Sequence, residues 1–233
     1  MRLNKFIAKS GECSRRAADK FVKGGSVTVN GNLELNPAYH VVENDNVRFD
    51  GRKLSLSQEF KTILLNKPLG YITTSNDPFK RKIVIDLINL NERLFPIGRL
   101  DKDTSGLLLL TNDGKLANKL MHPKNKIPRT YELEVDKPFE IWERKKISNK
   151  IYIGQKEWGR AEIIEQKKNK GRTIVIMKLY QGKKREIRRI VYRMKKTLYS
   201  LKRIKFGPIS LDSTPIGAFR ELSEAEIRLL SSL

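Results

Sequence analysis

Apolar residues change period within the first fifty positions. Leu3, Phe6 and Ile7 fall at helical spacing, and Ala17, Ala18, Phe21 and Val22 form a second helical stripe behind Ser14, a hydroxyl suited to capping a helix start. Gly24 and Gly25 end that stripe, because glycine accepts the left-handed geometry of a helix C-terminus. The period then drops to two. Val27 and Val29 alternate with Ser26 and Thr28, Asn30-Gly31 supplies a two-residue turn, and Leu33 and Leu35 resume the alternation. Val41-Val42, Val47 and Phe49 add strand material up to Asp50-Gly51. The pattern predicts a module of two short helices and a β-hairpin over residues 1–50.

Arg52 to Phe60 is polar and weakly periodic, and residues 51–60 read as a linker. From 61 to 233 the pattern is mostly strand-like. Thr62–Asn66 is a buried-type strand that runs into a turn at Lys67-Pro68-Leu69-Gly70, Tyr71–Thr74 resumes β character, and Leu107–Leu110 is a compact apolar strand. Leu116, Ala117, Leu120 and Met121 mark a helix face. Tyr131, Leu133 and Val135 alternate as a strand, and Ala161–Glu165 with Thr173–Tyr180 bracket a loop at Lys167–Gly171. Ile187, Ile190, Val191 and Met194 form a further helical stripe, and Leu198, Leu201, Ile204 and Phe206 suggest a closing strand. Strands outnumber helices and several pair as hairpins, so the class expected is α+β with a mostly antiparallel sheet.

Charge changes the picture. The 233 residues hold 48 Lys and Arg against 26 Asp and Glu, a net of +22. A surplus of this size makes a polyanion the default partner, since cations that neutralise phosphates release condensed counterions. Residues 178–205 carry twelve basic residues against Glu186 alone, half the total charge. Eight aliphatic residues are threaded through that block and Phe206 follows it, too many for a disordered tail, so a folded wall facing a polyanion is expected. No apolar run approaches the roughly 18–20 residues needed to cross a bilayer. Met1–Ser10 lacks the apolar stretch of a secretory signal, and the reading is a soluble, cytoplasmic protein. The single Cys13 excludes a disulfide framework, and His40 and His122 are too few and too far apart for a histidine metal centre.

One segment carries unusual chemistry. Gly98-Arg99-Leu100-Asp101-Lys102-Asp103-Thr104-Ser105-Gly106 sets two carboxylates and two cations between glycines. As residues alone these fit a surface turn in which Asp101 or Asp103 caps a backbone donor. They also fit a carboxylate kept ionised by a neighbouring arginine. Two positions apart, the aspartates point oppositely on a strand, which disfavours a paired acid/base arrangement.

Two resemblances extend this reading. Arg2-Leu3-Asn4-Lys5, Ser14-Arg15-Arg16-Ala17-Ala18 and Val27-Thr28-Val29-Asn30-Gly31 resemble the S4 RNA-binding domain. Gly98-Arg99-Leu100-Asp101, Thr104, Gly106–Leu110 and Thr111-Asn112-Asp113-Gly114 resemble the signature of RNA pseudouridine synthases. The likeness is to the RsuA/RluB/RluF type, which modifies bacterial ribosomal RNA and carries an N-terminal S4 domain. Lys67-Pro68-Leu69-Gly70, Arg129–Leu133, Gly182–Arg189 and Leu201–Ile204 follow the same order of motifs.

The resemblance implies that Asp101 starts cleavage of a uridine N-glycosidic bond so that the uracil can turn and rejoin through C5. It implies that Arg188 pairs with Asp101, that Tyr131 stacks on the base, and that Leu201 walls its other side. Arg99 and Lys67 would line the site or hold its loops. RNA contact would fall to Arg2, Lys5, Ser14, Arg15, Arg16 and Lys20 in the first module, and to Lys183, Lys184, Arg185 and Arg189 in the second. The isomerisation needs no cofactor, no metal-ligand cluster is visible, and a monomer acting on structured ribosomal RNA is expected. Met121-His122-Pro123 and Pro215–Leu222 lean by similarity toward the large-subunit (23S) enzymes, with a 16S target as the alternative.

The plain structural readings stand beside these. Tyr131 and Leu201 in alternating strands are commonly core, and Arg188 and Arg189 on a helix are commonly solvated. A non-catalytic ribosomal RNA-binding or assembly factor is the rival function. The Asp101–Arg188 pair is what would separate the two.

Overall fold

In the computed structural model, which describes residues 1–56 and 59–233, Ser14 caps its helix as its position predicts. Its Oγ accepts from the Ala17 N–H at 3.1 Å and starts α2 (Arg15–Lys23), which follows α1 (Leu3–Lys9). Asn30 and Gly31, at φ of 52° and 86°, turn β1 (Val27–Val29) into β2 (Asn32–Leu33). A second turn at Asp50-Gly51 joins β3 (Val47–Phe49) to β4 (Arg52–Lys53), and the sheet order is β2-β1-β3-β4. Leu3, Ile7, Ala18, Val22, Val27, Val29 and Val47 close a core.

Two expectations need correction here. Arg52–Lys53 is a strand rather than linker, and Leu54 is buried in the same core, because the Asp50-Gly51 turn returns the chain along β3. Val41 is buried outside any strand, and Val42, Leu33 and Leu35 are exposed. Ser57 and Gln58, within the expected linker, lie outside the described residues. The chain divides into two units, Met1–Phe60 with Leu90–Arg93 and Lys61–Asn89 with Leu94–Leu233.

The second unit is built on one large sheet. Its strands are β5 (Thr62–Lys67), β6 (Phe95–Pro96), β7 (Ser105–Thr111), β8 (Arg129–Val135), β11 (Glu162–Asn169), β12 (Arg172–Leu179), β13 (Leu198–Phe206), β14 (Ile209–Ser210) and β15 (Phe219–Glu221). The main order is β11-β12-β8-β13-β7-β5-β15. All these pairings are antiparallel except β13 with β7, which run parallel. The Leu198–Phe206 strand is therefore central rather than closing. A separate hairpin joins β9 (Ile151–Gly154) and β10 (Glu157–Gly159). Helices α3 (Gly114–Met121), α4 (Ile141–Asn149), α5 (Glu186–Arg193) and α6 (Glu224–Ser231) complete the unit.

Two cores flank the centre of the sheet. Leu133, Val175 and Met177 pack with Ile147 of α4 and Ile187, Ile190 and Val191 of α5. Leu64, Leu107 and Leu109 pack with Leu116 and Leu120 of α3, Phe206, and Leu230 of α6. All six positions of β5 are buried, so Ile63, Leu64 and Leu65 run consecutively instead of alternating, and the polar Thr62, Asn66 and Lys67 at its ends are buried with them. Tyr71–Thr74 forms no strand, only an Ile72–Ile83 bridge, and Lys167–Asn169 belongs to β11, leaving a tight turn at Lys170-Gly171. Among the described residues no helix is long and apolar enough to cross a membrane.

Candidate active site

The turn after Leu100 is held at five successive carbonyl oxygens, and the Lys67 ammonium reaches two of them, at 2.9 Å from Thr104 and 3.5 Å from Lys102. The Leu100 oxygen accepts from Thr73 Oγ1 at 2.7 Å, and Asp101 from the Thr104 N–H at 3.0 Å. Lys102 accepts from the Gly70 N–H at 2.9 Å, Asp103 from Arg188 Nη2 at 2.6 Å, and Thr104 from Lys67 Nζ at 2.9 Å. Thr73 Oγ1 also receives the Leu100 N–H at 3.2 Å. A net contribution of about 1 kcal/mol per bond, more for the two charged donors, ties this stretch of backbone down along its length.

Lys67 and Gly106 explain how the turn reaches that state. Lys67 ends β5 fully buried, and its ammonium also donates to the Pro68 oxygen at 3.0 Å. Burial pulls its pKa down to about 8, against the opposing pull of Asp101 and Asp103. Lys67 thus lies behind the turn instead of lining the open site, a correction to half of what was expected of it. Gly106 has φ of 99°, and a β-carbon there would stand 2.2 Å from the Arg203 oxygen. Only glycine lets β7 pass β13 so closely at the parallel junction.

The rigid turn presents Asp101 to a cleft of about 1460 Å³. Its carboxylate is 38% exposed, and Oδ2 lies 3.7 Å from Arg185 Nη1. Arg185 occupies the left-handed region at φ of 52°, at the start of α5. Arg188, one turn further along α5, forms no ion pair with Asp101; its Nη2 donates to the Asp103 oxygen and, at 3.5 Å, to Thr104 Oγ1, while its buried Nε has no partner among the described residues. The expected Asp101–Arg188 pair is thereby corrected, because the backbone oxygen of Asp103 intercepts the guanidinium. Burial, then the like charge of Arg185, lowers the pKa of Arg188.

Tyr131 and Leu201 both line the same cleft, as does Arg99. Register sets Leu201 opposite Leu133 and Arg203 opposite Tyr131, so the β8 ring and the β13 leucine share one face. Leu201 is also part of the core.

Arg203 and Arg129 were not anticipated. Arg203 is only 2% exposed, yet it lines the cleft, and its Nε donates to the Leu107 oxygen at 2.7 Å. Its Nη2 has no partner among the described residues. Arg129 and Arg203 both approach the Phe206 ring, at 5.3 and 5.4 Å, and burial followed by the Arg203 charge lowers the pKa of Arg129. A signal existed. Leu201 and Arg203 lie two apart on a strand, so an arginine sits at an inward position, where an unpaired charge is expensive.

The basic block divides three ways. Lys183, Lys184 and Arg185 line the cleft. Lys196 is buried against Glu143 at 2.9 Å and Phe139. Arg189 is engaged by Glu157 and by the oxygens of Ile153 and Gly154, so its assignment to RNA is corrected: it fastens the β9–β10 hairpin. Glu186, whose pKa burial raises, accepts the Lys183 and Arg160 N–H groups at 3.2 Å and shapes the same rim. In the first unit Arg2, Lys5, Arg15, Arg16 and Lys20 are exposed, while Ser14 is committed to its cap.

Comparison with known proteins identifies relatives along the whole chain. The family described as RNA pseudouridylate synthase matches residues 61–192, and the S4 domain matches residues 1–47. Ribosomal large subunit pseudouridine synthase B of Bacillus subtilis (strain 168) is 37% identical, covering 100% of this chain and 96% of that protein. The dual-specificity RNA pseudouridine synthase RluF of Escherichia coli (strain K12) is 33% identical, over 97% of this chain and 77% of its own length. A crystal structure of a pseudouridylate synthase superimposes with a TM-score of 0.70 at 26% identity, over 99% of both chains.

Proposed function

Since the chain belongs to the RNA pseudouridylate synthase family and carries an S4 domain, we propose that it converts a specific uridine of large-subunit ribosomal RNA to pseudouridine, with Asp101 as the catalytic carboxylate. The observation that carries the reading is the five-carbonyl clamp. A turn tied down so completely serves to hold its side chains in place, and of those it presents to the cleft, Leu100, Asp101 and Thr104, Asp101 is the carboxylate.

The reaction is an isomerisation. The C1′–N1 bond breaks, the uracil turns within the site, and a C1′–C5 bond forms while the C5 proton leaves and N1 regains one. Atoms and electrons balance without an external reactant. Asp101 acts on the nucleotide, and the Arg185 guanidinium offsets the carboxylate charge. Tyr131 and Leu201 hold the base between a ring and an apolar wall. Extruding the nucleotide from its helix costs a few kcal/mol, which cations gripping neighbouring phosphates offset. Lys183, Lys184 and Arg185 occupy the cleft edge where such phosphates would run. The exposed cations of the first unit supply a second grip on the same RNA.

The test is tritium release from ribosomal RNA labelled at uridine C5. Wild-type protein releases tritium and Asp101→Asn does not. Retention of the label by wild type refutes the function, and release by the variant refutes the choice of carboxylate.

A further inference from the structure

The β9–β10 hairpin displays two aromatic rings that the fold does not bury. Ile151, Ile153 and Gly159 face the core, while Tyr152 and Trp158, paired across the strands, point outward at 42% and 46% exposure. The rings meet edge to face at 5.4 Å. Each also has a cation nearby: Lys150 Nζ lies 5.3 Å from the Trp158 ring and the Arg193 guanidinium 5.4 Å from that of Tyr152. The acid of the hairpin, Glu157, is already neutralised by Arg189. The patch is therefore aromatic and cationic together.

It is also joined to the cleft. Lys183 Nζ, from the cleft wall, donates to the Trp158 oxygen at 2.6 Å, and Ser148 and Arg160, on either side of the hairpin in sequence, line the cleft as well. A cross-strand aromatic pair stabilises a hairpin wherever it occurs, but that role requires neither a cation beside each ring nor a hydrogen bond to the cleft wall. Exposed π-faces interleaved with cations hold unpaired nucleotides, whose bases stack on rings while the phosphates meet the charges.

We propose that Tyr152 and Trp158, with Lys150 and Arg193, form a stacking platform for unpaired RNA nucleotides that leave the cleft beside the target uridine. The platform rests on the reading of the cleft as an RNA site, yet its readout requires no isomerisation.

The chain has two tryptophans, so Trp142→Phe leaves Trp158 as the only indole reporter in the full-length protein. Short single-stranded oligouridine should quench its emission saturably, and duplex RNA of equal length should not. Tyr152→Leu in the same background should weaken the oligouridine affinity about tenfold. Should Tyr152→Leu fail to fold, the quenching in Trp142→Phe alone decides the matter. Absence of saturable quenching, whether the oligomer fails to bind or binds elsewhere, overturns the platform, as does equal quenching by duplex. Quenching without tritium release from ribosomal RNA would leave the platform standing and refute the proposed reaction instead.

Discussion

The Arg188 guanidinium donates to the main-chain oxygen of Asp103 at 2.6 Å, so a cation beside the candidate catalytic carboxylate works on the backbone that carries it. Arg185, three residues earlier, is the cation that faces the Asp101 carboxylate. The two arginines thus divide the labour between holding the turn and balancing the charge.

Replacing Arg188 with alanine should therefore act as a loosened support. A charged donor to a carbonyl is worth about 1.5–3 kcal/mol, and Arg188→Ala should lose that much stability in urea denaturation. Tritium release should fall about a hundredfold, mainly in kcat, because displacing a catalytic group by an ångström costs roughly that factor.

Lys67 gives a pH dependence of known sign. With its pKa at about 8 in the fold and 10.5 when free, the folded chain holds the proton less tightly than the unfolded one. Below pH 8 both states are protonated and the full cost of burying the charge is present. Between 8 and 10.5 the unfolded state binds more protons, so stability rises with pH. Relative to Lys67→Met, the wild type should gain about 2 kcal/mol between pH 8 and pH 9.5. Urea midpoints of the two proteins across that range check it, and parallel curves would contradict it.

Gly106→Ala should be among the most damaging single changes. A methyl group 2.2 Å from the Arg203 oxygen, at φ of 99°, forces the parallel β7–β13 junction apart. A loss of about 3 kcal/mol or more is expected, together with loss of tritium release as the turn holding Asp101 shifts.

Arg203→Met should separate stability from activity. The buried Nη2 has no partner among the described residues, and a methionine, unbranched and uncharged, removes that desolvated charge at the cost of the bond to Leu107 and the cation–ring contact with Phe206. The variant should melt no lower than wild type, and up to about 2 kcal/mol of stabilisation is expected. Its affinity for RNA should nonetheless fall, as measured by a binding titration.

Lys184 and Arg189 stand close in sequence and should behave oppositely. Lys184→Ala should lower the slope of log affinity against log salt by about 0.7–0.9, the signature of one lost phosphate contact. Arg189→Ala should leave that slope unchanged and destabilise the fold, since its guanidinium is occupied by Glu157 and the Ile153 and Gly154 oxygens.

Helices with a strong one-sided stripe were legible in the sequence. Those around Ile7, Val22 and Ile190 follow directly from apolar spacing. Helix α4 was not, because it buries Ile147 and the carboxylate of Glu143 while exposing Ile141 and Trp142, which hides its period. The ion pair that makes this workable comes from Lys196, 53 positions away in a block whose cations the sequence suggested were gathered on a polyanion-facing wall.

The sequence by itself determined the two-part organisation of secondary structure, the basic character of the second part, and the aspartate in its glycine-flanked turn. Those properties are local, set by spacing, capping and charge along a short stretch of chain. Tertiary structure decided which cation meets which oxygen: Arg185 on Asp101, Arg188 on Asp103, Lys67 on Thr104, and Arg189 on Glu157. A guanidinium bonds whichever acceptor lies within about 3 Å, and that distance is fixed only when strands far apart in sequence are laid side by side.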